Sequence, residues 1–155
     1  MAQTMGFGTW VDKLCKRKNR WIFKIDDVVD DGASALPPLK SARPSLTFKE
    51  MEAQHINETI FFPSKPEWKP IQLTLYDIDG RESKVIDWVK QIYDAENGTW
   101  KASCDGTFKK RCTLEMYNGC GDTIETWIFE NAWPQVIEWG ELDMADSSVV
   151  TVDIT

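Results

Sequence analysis

No lysine or arginine occurs after Arg111. The remainder of the chain carries nine acids: Glu115, Asp122, Glu125, Glu130, Glu138, Glu141, Asp143, Asp146 and Asp153. All 18 bases and 16 of the 25 acids lie upstream, so a near-neutral front joins a strongly acidic back. The net charge of −7 argues against a protein whose main work is gripping nucleic acid, which needs clustered Lys and Arg.

Residues suited to catalysis are scarce. His55 is the single histidine, and in the polar "EAQHINE" it reads as a solvated residue rather than a base. No G-x-S-x-G nucleophile elbow occurs, and "GCG" reads as a hairpin turn rather than a phosphate cradle. "DIDG" (Asp77–Gly80) opens like a calcium loop, but its twelfth position is Trp88 where glutamate is required. The acids of "DDVVDD" (Asp26–Asp31) read as a solvated strand end. No enzyme activity and no cofactor are expected. Apolar runs stay short of the 18 or so residues that span a membrane. "MAQTMGFGTW" has neither the basic nor the apolar part of a signal peptide, so synthesis and first folding in a cytoplasm are expected, and the two N-x-T sequons count as chance matches.

Cys15, Cys104, Cys112 and Cys120 contain no C-x-x-C pair, which disfavours zinc. Two readings stand: four reduced, partly buried thiols, or disulfides formed after release from the cell. Cys15, within the basic "KLCKRKNR", is the best placed to reach another subunit, because neighbouring Lys and Arg favour the thiolate.

What is present is β-structure and tryptophan. "NRWIFKIDDV" alternates bulk at Trp21, Phe23 and Ile25, the period of a strand. "SLTFKEME" puts Leu46 and Phe48 opposite Ser45, Thr47 and Lys49; "ETIFFP" resumes near Thr59–Phe62. Between them, residues 50–58 read as polar and mobile, a hairpin tip or an extended excursion. "DDGASALPPLKSARP" reads as a loop, and the prolines of "SKPEWKP" precede a strand over Ile71–Tyr76. "SKVIDWVKQIYD" has helical spacing at Val85, Ile86, Trp88, Val89, Ile92 and Tyr93, with Ser83 placed to cap it. "RCTLEMY", "NGCGD" and "TIETWIF" predict strand, turn and strand, Asn118-Gly119 supplying positive φ. "AWPQVIEWGELD" and "SSVVTVDIT" are further strand candidates; in the latter, Thr151 and Asp153 oppose Val150, Val152 and Ile154. The whole reads as many strands plus one helix, an α+β chain or a β-sandwich with a helix packed on it, in a single domain over 1–155. Eight tryptophans and strand edges without a catalytic constellation point to assembly.

The ordered set "NRWIFKI", "FFPSKPEWKPIQLTLYD", "SKVIDWVKQIYD" and "LEMYNGCGDTIETWIFENAWPQVIEWGELD", closed by "SSVVTVDIT", resembles the tail tube proteins of contractile-tailed bacteriophages and related contractile injection systems. The likeness covers roughly residues 19–155. Departures are a final strand that ends at "DIT" and a cysteine content above the family's habit. The resemblance implies a mainly β fold, a β-sandwich or small barrel with one flanking α-helix, and hexameric rings stacked into a tube, each subunit giving strands to a continuous barrel around a bore. It implies partners: other copies of itself, a tail sheath protein, baseplate and tail terminator proteins, a tape measure protein, and DNA in transit without specific binding. It implies location in a virion tail, assembled in the bacterial host cytoplasm.

On that reading, residues 1–18 form an N-terminal arm, and Glu50, Met51, Glu52, Gln54, His55, Asn57 and Glu58 belong to a loop contacting a neighbour, disordered until the tube forms. Ser45, Thr47, Lys49, Glu138, Glu141, Thr151 and Asp153 are the candidates for lining the bore, with Lys49 at its rim or paired to Glu50. A wall of acids repels DNA and keeps it moving, whereas lysines would collect phosphates. Alternatives of the same fold are a tube-initiator or baseplate paralogue and a secretion-system tube. Alternatives of another class are a small cytosolic ligand-binding β-protein or an unrecognised enzyme, each expected to be a stable monomer with a closed pocket.

Overall fold

The structure is a computed structural model, and it describes residues 15–29, 38–78, 83–101 and 106–155. In chain order the elements are β1 (Trp21–Ile25), β2 (Pro38–Ser41), β3 (Leu46–His55), β4 (Glu58–Trp68), β5 (Leu73–Tyr76), α1 (Ser83–Ile92), β6 (Tyr93–Asp94), β7 (Thr99–Trp100), β8 (Lys110–Tyr117), β9 (Thr123–Ala132), β10 (Ile137–Glu138) and β11 (Thr151–Ile154).

Two sheets form the sandwich. One has the order β1-β8-β9 and the other β10-β11-β5-β2, with every neighbouring pair antiparallel. Alternation decides which side chains face inward. Phe23 and Ile25 of β1 lie opposite Leu114 and Cys112 of β8, and all four are buried. On the second sheet Leu75 pairs with Val152 and Leu73 with Ile154, again all buried. Helix α1 adds Val85 and Trp88, three residues apart and so on one face. Trp88 also donates from Nε1 to the Phe108 carbonyl oxygen at 2.7 Å, satisfying its polar atom inside the core. Burying an aliphatic side chain of this kind contributes about 1.5–3 kcal/mol, which is why a domain of this size holds together around a dozen such positions.

Several expectations shift. The proline-rich stretch after residue 30 yields an edge strand: Pro38 opens β2, where a missing N–H costs little, and a register shift follows between Pro38 and Lys40. The strand expected over Ile71–Tyr76 starts at Leu73, and the "AWPQVIEWGELD" candidate shrinks to β10. In the β8–β9 turn neither Asn118 nor Gly119 has positive φ; Gly121 does, at 93°. Asn118 works through its side chain instead, its Oδ1 accepting from the amides of Cys120 (2.8 Å) and Asp122 (2.9 Å).

Residues 50–58 take the first of the two shapes expected, the outer end of a hairpin, with more strand than tip: Glu50 to His55 continue β3, Glu58 begins β4, and His55 lies opposite Glu58 across a two-residue tip, Ile56-Asn57. The polar look of "EMEAQH" hid its alternation, because alanine contributes little bulk to the apolar phase. β4 runs on through Pro63 and Pro66, with the register slipping between Phe48 and Glu50. A free two-stranded ribbon tolerates those prolines because each strand has an edge without a ladder to complete.

Candidate assembly surfaces

The β3–β4 hairpin extends from the sandwich, and among the described residues only its root, at Trp68, shares a groove with core side chains such as Phe23 and Phe129. Nearly every residue in it is exposed. Met51 pairs with Phe62 and Ala53 with Ile60, one apolar face; Glu50, Glu52 and Gln54 face the other way. On that face Met51 is 56% exposed and Phe62 46%, and Ile56 at the tip reaches 91% with φ of 44°. An isolated two-stranded ribbon with such side chains in water is marginal at best, so its apolar face is a surface awaiting cover.

The candidate bore residues separate into two groups. Glu138, Asp153, Thr74 and Lys40 form a cross-strand row on the outward face of the β10-β11-β5-β2 sheet, and the Thr74 hydroxyl donates to Asp153. Thr151 lies on the same strand two residues from Asp153, opposite Tyr76, while Val152 and Ile154 point into the core as alternation required. Glu141 lies past the end of β10, in the irregular connection to β11, and does not join this row. Ser45, Thr47 and Lys49 belong to the hairpin: Ser45 precedes β3, Thr47 faces Glu67, and Lys49 pairs with Glu67 at 2.9 Å rather than with Glu50. That lysine holds the Glu67 carboxyl below its usual range.

Part of the acidic back is matched within the subunit. Glu125, on β9, accepts from Lys16 and, at 2.5 Å each, from Arg43 and from Trp127 Nε1. Lys16, then the indole of Trp127, then Arg43 hold its carboxyl down to about 2. Glu115 faces Lys24 at 3.5 Å and Glu130 faces Arg111 at 3.7 Å. Glu138, Glu141 and Asp143 have no ion-pair partner among the described residues. Sequence reasoning missed the Glu125 cluster, whose members are brought together only by the tertiary fold.

The cysteines divide by burial. Cys112 sits in the core opposite Ile25, and burial pushes its thiol up to about 12, which disfavours the reactive thiolate there. Cys15 and Cys120 are exposed and free, and Cys104 lies outside the described residues, as does most of the 1–18 arm. His55 is exposed beside the hairpin tip. Among the described residues no group of three or more His, Cys, Asp or Glu is placed to hold a metal, and no helix is long and apolar enough to cross a membrane.

A two-sheet sandwich with one helix, an uncovered apolar hairpin and unpaired sheet edges defines a β-protein shaped for association. The chain belongs to the T4-like virus tail tube protein gp19 family, whose family model matches residues 17–155. It is therefore a structural tail tube protein of a contractile tail assembly and not an enzyme. In fold it is similar to chains of two extracellular contractile injection system structures. One is the PVC sheath–tube complex in the extended state (TM-score 0.70, 16% identity, covering 97% of this chain and 92% of that one). The other is the PVC sheath/tube terminator (TM-score 0.71, 16% identity, 92% and 91%). It is also similar to the tube-terminating cap of the anti-feeding prophage (TM-score 0.70, 15% identity, 92% and 85%). No curated protein sequence matches it.

Proposed function

We propose that this chain builds the inner tube of a contractile tail as stacked hexameric rings, through which DNA leaves the virion. The observation that carries this reading is the bare β3–β4 hairpin. Its Met51–Phe62 and Ala53–Ile60 face has no cover among the described residues and would gain one in an assembly. Ring closure would also remove the free edges that β2 and β10 leave on their sheet. The number six follows from the family resemblance.

Glu138, Thr151 and Asp153 are the residues we assign to the bore. Their row is outward-facing and wet; its two acids repel phosphate at the Debye range of a few ångströms to a nanometre, and its one base, Lys40, stands apart from them on the β2 edge. A sheath protein surrounds the tube, baseplate and terminator proteins bound its ends, and a tape measure protein occupies it before DNA. Assembly takes place in the bacterial host cytoplasm. A second reading, favoured by the injection-system chains of similar fold, has the same tube serve a particle that carries protein; the contents of purified particles distinguish the two.

Electron microscopy of the purified protein in negative stain tests the proposal. Rings of six, or tubes built from them, are expected. Featureless particles, with only monomer in light scattering at high concentration, would overturn it.

A further inference from the structure

Two surfaces of this subunit are chemically matched and do not meet within it. The first is a groove of about 580 Å³ at the open side of the sandwich, between β1 and β2. Its floor is apolar, made by Trp21, Leu39, Leu114 and Met116. Its rim is basic: Lys16 and Arg43 are already held by Glu125, whereas Arg17, Lys18 and Lys40 have no acidic partner among the described residues. Exposed bases around an apolar floor suit an acidic segment that carries large apolar side chains.

The second surface is such a segment. The connection from β10 to β11 contains "WGELDMADSSV" (Trp139–Val149), with acids and no base. Leu142 is 85% exposed, Met144 is fully exposed, and Val149 is open as well. Glu141 and Asp143 alternate with Leu142 and Met144, and neither acid has an ion-pair partner among the described residues. The strap is held at its root. Gly140, at φ 73°, runs so close to β11 that a Cβ there would lie 2.6 Å from the Thr151 carbonyl oxygen. Asp143 and Asp146 each accept an amide two residues ahead, from Ala145 and Ser148 at 2.9 Å, which fixes its bends. A strap shaped in advance loses less entropy on docking.

The sheet order β10-β11-β5-β2 puts the strap at one edge and the groove at the other. Three strand spacings separate the edges, about 14 Å, and Leu142 and Met144 stand exposed rather than covering the subunit's own groove. We infer that the acidic strap of one subunit docks in the basic groove of a neighbouring copy, Glu141 and Asp143 meeting Arg17 and Lys18 while Leu142 and Met144 cover the apolar floor. The contact joins unlike patches, so every subunit offers both halves and the association propagates head to tail, as a ring requires. The polarity of the sheet agrees, with Lys40 on the β2 edge and Glu138 on the β10 edge. This inference rests on the self-assembling reading of the chain and adds which surfaces meet.

Charge reversal in two halves tests it, read by sedimentation for any self-association and by microscopy for rings. E141K/D143K and R17E/K18E should each associate at least ten-fold more weakly than the wild type, while their equimolar mixture, in which each strap again faces an opposite groove, should recover. Circular dichroism checks that both variants are folded; the neutral set E141Q/D143N should weaken association less and remove its salt dependence. Wild-type association by either reversed variant, or a folded mixture that fails to recover, overturns the contact. Association that follows the charge pattern but never yields rings would sink the ring reading and leave this contact standing.

Discussion

The sandwich and the β3–β4 hairpin are built from the same residue types and treat water in opposite ways. In the sandwich, Leu75, Val85 and Val152 are wholly buried, and the alternate positions face outward. In the hairpin, Met51, Phe61, Phe62 and Ile60 are as apolar but remain in water. The first region is complete in one subunit and supplies the stability of the fold. The second is incomplete, and its strand pairing alone does not account for retaining four large apolar side chains on a free ribbon. The comparison teaches that stability and assembly reside in different parts of this chain, so they should be separable by substitution.

The largest effect expected on that separation comes from the core. Leu75→Ala should destabilise the subunit by about 2–5 kcal/mol, measured by urea unfolding, because it removes buried surface and leaves a cavity. If the loss were under about 1 kcal/mol, the sandwich would not be the stabilising unit. The paired change M51S/F62S on the hairpin should abolish rings and tubes while shifting monomer unfolding by less than about 1 kcal/mol. Tubes of normal yield from that variant would mean that the exposed face is not an assembly surface.

A third substitution sharpens the bore assignment. E138K/D153K should leave tubes intact but make them retain DNA, most visibly in low salt, because lysines gather phosphate. Tubes that assemble and bind no DNA would place those acids elsewhere. The smallest effect concerns Glu125. Its folded-state carboxyl, near 2, lies below its ordinary 4.5 because Lys16, Trp127 and Arg43 favour the charged form. A lowered carboxylate contributes stability above 4.5 and loses it as the pH falls from 4.5 towards 2. Thermal unfolding of Glu125→Gln should therefore lie below the wild type at pH 7, with the gap closing through that window. A gap that does not change with pH would contradict the pairing.

How far the sequence revealed this arrangement depended on whether a segment's signal was local. β1, β8 and β11 were readable because Trp21-Phe23-Ile25, Cys112-Leu114-Met116 and Val152-Ile154 alternate cleanly against polar neighbours. Helix α1 was readable from Val85, Trp88 and Ile92, and it spans Ser83–Ile92. β2 was obscured by Pro37-Pro38, which signal a loop unless the strand lies at a sheet edge. The hairpin was obscured because Glu50, Glu52 and Gln54 form one of its faces, so the segment reads as polar before its register is known. Of the candidate bore residues, Glu138, Thr151 and Asp153 are brought onto neighbouring strands, whereas Ser45, Thr47 and Lys49 belong to a different element. The meeting of Glu125 with Lys16 and Arg43 left no local trace, since it depends on how β9 packs beside distant segments.

Amide hydrogen exchange along β3 and β4, compared between the isolated subunit and the assembled tube, addresses the central claim most directly. In the isolated subunit the hairpin amides should exchange orders of magnitude faster than those of Leu75, Val152 and Leu114, because nothing covers the ribbon. On assembly, protection should rise sharply from Met51 to Phe62 and change little in the sandwich core. Hairpin amides that exchange equally fast in the tube would show that the exposed face stays uncovered, and the account of this chain as a subunit completed by its neighbours would be wrong.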